Sequence, residues 1–162
     1  MDERKKLVKE WGEDTAYAAK SHFKSADLKK NSIYILVVVN ILFAIFSILQ
    51  LDILPPELFR LFGIISLVAS IFVLIHESQE GKDSVKKHME CGEKYLSLHK
   101  TLHSLYRRSA AILESEINDV KGKLDELTNA EKPIISQIAK ALAERAIEKK
   151  GEMNTWWKDA DN

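Results

Sequence analysis

The stretch IYILVVVNILFAIFSIL, Ile33 to Leu49, has seventeen residues, no charge and one amide, Asn40, close to its middle. At about 1.5 Å of rise per residue, such a helix is roughly 26 Å long, close to the hydrocarbon thickness of a bilayer. A core helix of a soluble protein normally carries a polar face, whereas this stretch is apolar all round. It therefore predicts a membrane-spanning helix.

A second apolar block completes a predicted two-span hairpin at 33–76, with spans at 33–51 and 58–76. The loop between them, DILPPE at 52–57, contains adjacent prolines that cannot continue a helix. A cleaved signal peptide would need a short basic start and a small-x-small cleavage site, whereas here 32 residues rich in charge come first. We therefore expect a multi-pass membrane protein, with lipid as its first partner.

Basic residues near the spans predict the orientation of the hairpin. Only Arg60 lies near the loop, where its long stem can carry the charge to the interface. Because positive residues favour the cytoplasmic side, both termini should be cytoplasmic. The basic residues on that side are Lys24, Lys29 and Lys30 before the first span, and Lys82, Lys86 and Lys87 after the second.

Composition predicts that the rest of the chain is also helical. Six glycines and three prolines in 162 residues leave few breaks. The predicted class is an all-α membrane protein, with an amphipathic cytosolic helix at 1–32, the hairpin, and a cytosolic coiled-coil-like helical bundle at 77–162. The 24 basic and 24 acidic side chains cancel, so no overall field favours a nucleic-acid partner.

Each predicted span carries one stripe of small and polar residues at helical spacing. Two interpretations stay open. The stripes can face each other and pack the two helices, with the amide hydrogen-bonding across the pair. Alternatively, one stripe lines a polar path formed when several hairpins assemble, which makes a homo-oligomer obligatory. The stripes are Asn40, Ala44 and Ser47 in the first span, and Gly63, Ser66 and Ser70 in the second.

The region after the second span predicts a long coiled-coil helix. From Val85 to Leu127, thirteen positions alternate by four and three residues, which is a heptad pattern. Its middle, Gly92 to Ala110, is poorly apolar, so a coiled coil there would be weak unless the neighbours Tyr95, Leu98, Leu102 and Leu105 are also covered, which implies more than one partner helix. Whether this seam pairs within or between chains stays open. The positions are Val85, Met89, Gly92, Leu96, His99, His103, Tyr106, Ala110, Leu113, Ile117, Val120, Leu124 and Leu127.

A further helix is predicted to start near 129–133 and to end at Gly151. Thr128 and Glu131 have capping-box spacing, and Pro133 suits a first helical turn. Its apolar stripe would consist of Ile134, Ile135, Ile138, Leu142 and Ile147.

Four aromatic residues are predicted to be structural or to form an interface: Trp11, Tyr17, Trp156 and Trp157. The adjacent tryptophans can lie at the membrane interface, where Trp is enriched, or pack against Trp11 and the N-terminal helix. We favour packing.

Catalytic chemistry finds little support in the sequence. His99 and His103 have the i, i+4 spacing of metal ligands, but no Glu follows the first of them, so this is not a zinc-protease helix. Cys91 is the single cysteine, and the chain shows no Gly-rich phosphate loop. We expect no enzyme activity, cofactor or metal site.

Two stretches resemble the SLATT family, the SMODS and SLOG associating two-transmembrane effector domains. They are WGEDTAYAAKSHFKSADLKKNS before the first span and KDSVKKHMECGEKYLSLHKTLHSLYRRS after the second, where Tyr95 and Leu98 match the family's tyrosine and leucine. The resemblance implies a prokaryotic conflict protein of the inner membrane. Such an antiviral defence effector would form oligomeric pores when a sensor protein or nucleotide second messenger signals infection. The other hypothesis is a membrane-anchored helical scaffold or regulatory subunit without conductance.

Overall fold

The computed structural model describes residues 3–49 and 55–158, without the side chains of residues 76, 77 and 79–81. Within these residues the chain forms five helices and no strand, which confirms the predicted all-helical class. The helices are α1 (Glu3–Leu49), α2 (Pro56–Glu77), α3 (Gln79–Arg107), α4 (Glu114–Asn129) and α5 (Gln137–Lys150).

The chain divides into two compact units. The hairpin unit is Asp27–Val85, and the helical module comprises Met1–Ala26 and Lys86–Asn162. Helix α1 contributes residues to both, because the N-terminal amphipathic segment and the first apolar segment form one helix of 47 residues. α1 and α2 each contain a stretch long and apolar enough to cross a membrane.

The hairpin unit is an antiparallel pair of helical segments. Residue 47 of α1 lies near residue 63 of α2, and residue 40 lies near residue 70. α2 begins at Pro56, since a proline in the first turn needs no amide donor. The last two residues of the predicted first span, positions 50 and 51, and positions 52–54 of the predicted loop lie outside the described residues.

The helical module has a conventional apolar core. Each of its helices buries one face against the others, and the core also includes the segment between α3 and α4 and the segment after α5. Its buried members are Val8, Ala16, Leu98, Leu102, Leu105, Ile112, Val120, Ile147, Trp156 and Trp157.

The predicted single helix from Val85 to Leu127 is wrong. α3 ends at Arg107 and α4 starts at Glu114, so Ala110 and Leu113 of the predicted seam lie outside any helix and are exposed. The break has a physical cause, because it allows Ile112 to be buried in the core. The new helix α4 is capped by Glu116, whose carboxylate accepts a hydrogen bond from the backbone N–H of Leu113 at 3.0 Å.

The buried stripe of α3 also differs in phase from the predicted seam. Met89 is exposed, and Leu96 and His103 are only half-buried. The stripe of α3 packs within a single chain, against α1 and the other elements of the module. It shares Gly92 and His99 with the predicted seam and otherwise follows the adjoining face, and its residues are His88, Gly92, Tyr95, Leu98, His99, Leu102 and Leu105.

The predicted start of the last helix is also wrong. Thr128 still belongs to α4, and α5 begins at Gln137, where the Ser136 hydroxyl accepts a hydrogen bond from the N–H of Ala139 at 3.2 Å. The face that α5 buries carries alanines and Ile147, whereas Ile134 and Ile138 are exposed. The predicted end is confirmed, because Gly151 adopts φ 61°, the left-handed conformation that glycine favours at a helix terminus.

Candidate functional site

The inner face of the hairpin unit carries a hydrogen-bonded polar network. The amide of Asn40 donates from Nδ2 to the hydroxyl of Ser70 at 2.8 Å, and its Oδ1 accepts from the hydroxyl of Ser66. The Ser70 hydroxyl in turn donates to the backbone carbonyl of Ser66 at 2.8 Å. All three side chains are half-buried, so the network joins α1 to α2 within one chain.

The two helices also make close contacts on one side of this network, nearer the C-terminal end of α1 and the start of α2. A Cβ added at Gly63 would lie 3.5 Å from the hydroxyl oxygen of Ser47, an ordinary contact distance. Phe62 of α2 packs against Phe43 of α1, with ring centroids 5.3 Å apart. Ala44, the remaining member of the first stripe, is half-buried.

The polar network can hold two helices together, and it carries no proton-transfer chemistry. It contains an amide and two hydroxyls, none of which titrates near neutral pH. In an apolar environment, an amide that bonds across helices contributes about 1 kcal/mol to their association. The structure therefore brings together Asn40, Ser66 and Ser70, and separately Ser47 with Gly63.

A second candidate site lies in the helical module, where the segment after α5 packs on α1 and α3. Trp156 and Trp157 are buried. Trp156 lies against Gly12 of α1 so closely that an added Cβ would come within 2.3 Å of its ring. The Trp156 ring also stacks on His103, with centroids 5.3 Å apart and planes at 10°.

His99 connects these elements through both of its ring nitrogens. Its Nδ1 lies 2.8 Å from the carbonyl oxygen of Gly12, and its Nε2 lies 3.3 Å from Nε1 of Trp156. A carbonyl only accepts and an indole N–H only donates, so Nδ1 carries the proton and Nε2 does not. Burial lowers the pKa of His99, although the bond to Gly12 opposes this shift, so the neutral form is favoured.

Charged pairs surround the same junction. The Tyr17 hydroxyl donates to the carboxylate of Glu148 in α5, and burial together with this bond raises the pKa of the phenol. Glu152 accepts from Lys20 of α1 at 2.6 Å, which lowers the pKa of its carboxyl. These contacts tie α1 to the C-terminal segment.

The geometry gives the two predicted i, i+4 histidines structural contacts. His99 uses both nitrogens on protein groups, and His103 stacks on Trp156. Among the described residues, no group of three His, Cys, Asp or Glu side chains is placed to hold a metal ion. Trp11 and Tyr17 border the module's core as half-buried residues.

Sequence reasoning missed one pair, His22 of α1 and His88 of α3, whose Nδ1 atoms lie 3.1 Å apart in a buried position. The signal was present, since His88 lies seven residues before Tyr95 on the face that is buried. The predicted seam ran through Val85 and Met89 at this part of α3, and it therefore did not include His88.

Comparison of this chain with protein-family models, with curated proteins and with solved structures finds no match.

Proposed function

We propose that this protein is a two-span membrane protein whose hairpin anchors a helical interaction module at the bilayer. The observation that carries the proposal is the outer surface of the hairpin unit. None of the residues in the most apolar 18-residue window of α1 is buried, and only 6% of those in the window of α2 are. Side chains such as Ile48 and Leu74, 79% and 71% exposed, need an apolar surrounding.

The exposure of this surface favours a membrane span over the core helix of a soluble protein. A core helix buries its apolar side chains against its own chain, whereas here they point outward around both helices. A contiguous apolar surface of this size is an interaction surface, and lipid fits it because the surface encircles the helices.

Lysines on one side favour cytoplasmic termini. Lys29 and Lys30 precede the apolar part of α1, and Lys86 and Lys87 follow that of α2. The membrane would be the bacterial inner membrane, and the helical module would lie in the cytoplasm.

Cysteine labelling of membranes tests this arrangement. In a Cys91→Ser background, we compare Glu57→Cys at the end of the predicted loop with Lys94→Cys on the exposed face of α3. A membrane-impermeant maleimide added to intact cells should label position 57 and spare position 94 until the cells are lysed. The proposal fails if carbonate extracts the protein from the membrane, or if both positions are labelled equally in intact cells.

The second candidate is an oligomeric pore-forming effector, as the resemblance to the SLATT family implies. The specific observation in its favour is the polar network of Asn40, Ser66 and Ser70, because polar groups at the depth of a bilayer centre often mark an ion path. In the single chain the amide bonds within the hairpin, so this arrangement fits a closed state. Opening would require a homo-oligomer and a sensor protein or nucleotide signal that prefers the open arrangement.

Membrane potential separates the two candidates. A potential-sensitive dye is followed in bacteria during titrated expression of wild type, Asn40→Leu and Ser70→Leu, with Ile41→Leu as the matched control at an exposed neighbour. A pore predicts depolarisation by wild type and the control, and its loss in the other two variants. An anchor predicts a steady potential for all four proteins at matched membrane levels.

A further inference from the structure

Two histidines form a buried pair where α1 packs on α3. His22 is 1% exposed and His88 is 0% exposed, and their Nδ1 atoms are 3.1 Å apart. The rings are tilted by 51°, with centroids 5.4 Å apart. At this distance one Nδ1 carries a proton and donates it to the other, which must be unprotonated.

The groups around the pair favour its neutral state. His22 stacks on Tyr95 of α3, with centroids 5.9 Å apart and planes at 15°. The Tyr95 hydroxyl accepts a hydrogen bond at 3.2 Å from Lys132, on the segment before α5. Burial lowers the pKa of His22, and the positive charge of Lys132 lowers it further.

The site leaves little room to accommodate added charge. One residue along α1 from His22, Phe23 lies against Gly92 of α3, where an added Cβ would come within 2.7 Å of the ring. Because the Phe23 ring packs directly on this glycine, no space for a water layer is left between α1 and α3 at this position.

Protonation of both rings is incompatible with this geometry. A fully protonated pair carries hydrogen on both Nδ1 atoms, so their hydrogen bond is lost and two positive charges face each other across about 3 Å. In a buried setting neither charge is screened by solvent, so the contact is relieved by separation of the helices.

We propose that His22 and His88 form a proton-responsive clasp that holds α1 on α3 while the pair is neutral and releases this part of α1 when both rings are protonated. The ligand is the proton. The device acts on α1, a helix that contributes residues to both the module and the hairpin unit.

Hydrogen exchange of the full chain in detergent micelles tests the clasp. Protection is measured for residues 15–26 of α1 between pH 7.5 and 5.5, corrected for the intrinsic pH dependence of exchange. Wild type should lose about tenfold or more of its protection per pH unit once the pair begins to protonate, since one pKa unit corresponds to a factor of ten. Unchanged corrected protection over this range overturns the proposal.

The double variant His22→Gln His88→Gln removes the titration, and its amides can still bond to each other. On acidification it should lose less protection than wild type, because only the contribution of the pair is removed and His99 still titrates. The control His103→Gln, at a half-buried histidine outside the pair, should behave as wild type. A double variant that loses protection on acidification as wild type does contradicts the clasp.

Ring chemical shifts of His22 and His88 in wild type keep the proposal testable if the double variant does not fold. As the pH is lowered, both rings should still be neutral at pH 6.5. At a lower pH both should protonate together, over the same range in which protection is lost. Independent titration of the two rings near 6.5, with protection retained, overturns the clasp.

Discussion

The helical module and the hairpin unit both contain part of α1, but their side chains are arranged by opposite rules. In the module, Leu102 and Trp157 are buried and charged side chains lie outside. In the hairpin unit, Ile48 and Leu74 lie outside, and the amide of Asn40 lies on the inner face. Each unit therefore suits a different surrounding: the module suits water and the hairpin unit suits an apolar medium. The reason is that the side chains on the outside of a helix must be compatible with the medium around it.

The largest expected effect tests the module's core. Trp157 is 2% exposed, so Trp157→Ala should lower the free energy of unfolding by about 3–5 kcal/mol through lost contacts and a cavity. Denaturant unfolding of the full chain in detergent, followed by circular dichroism, measures it. Ile134→Ala, at a residue 92% exposed, is the control and should change stability by less than about 0.5 kcal/mol. Equal effects of the two variants would show that the C-terminal segment does not belong to the core.

Two glycine substitutions sharpen the view that the C-terminal segment is docked on α1. Gly12→Ala should destabilise the protein by about 1–3 kcal/mol, because its methyl group overlaps the ring of Trp156. Gly122→Ala, where nothing lies within 4 Å in α4, should stabilise by up to about 1 kcal/mol through helix propensity. Thermal unfolding compares them, and two stabilising results would mean that Trp156 does not pack at Gly12.

Acidification should destabilise the module before the hairpin unit. Burial lowers the pKa of both His22 and His99, so the folded chain binds fewer protons at these sites than the unfolded chain. Stability is then full above about pH 6.5 and falls as the pH drops below it, by at most about 1.4 kcal/mol per pH unit for each histidine. Tryptophan fluorescence reports this unfolding, because Trp11, Trp156 and Trp157 all lie in the module. Constant stability from pH 7.5 to 5.5 would contradict the assignment of both histidines as neutral.

The smallest expected effect tests the inner face of the hairpin unit. In a Cys91→Ser background, cysteines replacing Ser47 and Gly63 should form a disulfide, since a Cβ at 63 would lie 3.5 Å from the Ser47 oxygen. Adding Asn40→Leu should slow this cross-linking about fivefold in membranes, equivalent to about 1 kcal/mol of helix pairing. Ile41→Leu should leave the rate unchanged. A rate unaffected by Asn40→Leu would mean that the amide does not hold the pair.

The sequence by itself determined the features that depend on local composition. The apolar runs and the scarcity of glycine and proline predicted an all-helical chain with two long apolar helices, and Gly151 marked the end of α5. These features follow from neighbouring residues, since backbone hydrogen bonds in a helix join positions four apart.

Only the tertiary structure decided which face of each helix is buried. The heptad pattern predicted a seam through Met89 and Leu113, but the core selects Leu98, Leu102 and Ile112 and interrupts the helix to bury the last of these. The pairing of His22 with His88 and the position of Trp156 against Gly12 join residues far apart in the chain. Helical periodicity defines several possible faces, and the choice among them depends on the volumes and hydrogen bonds that the other helices supply.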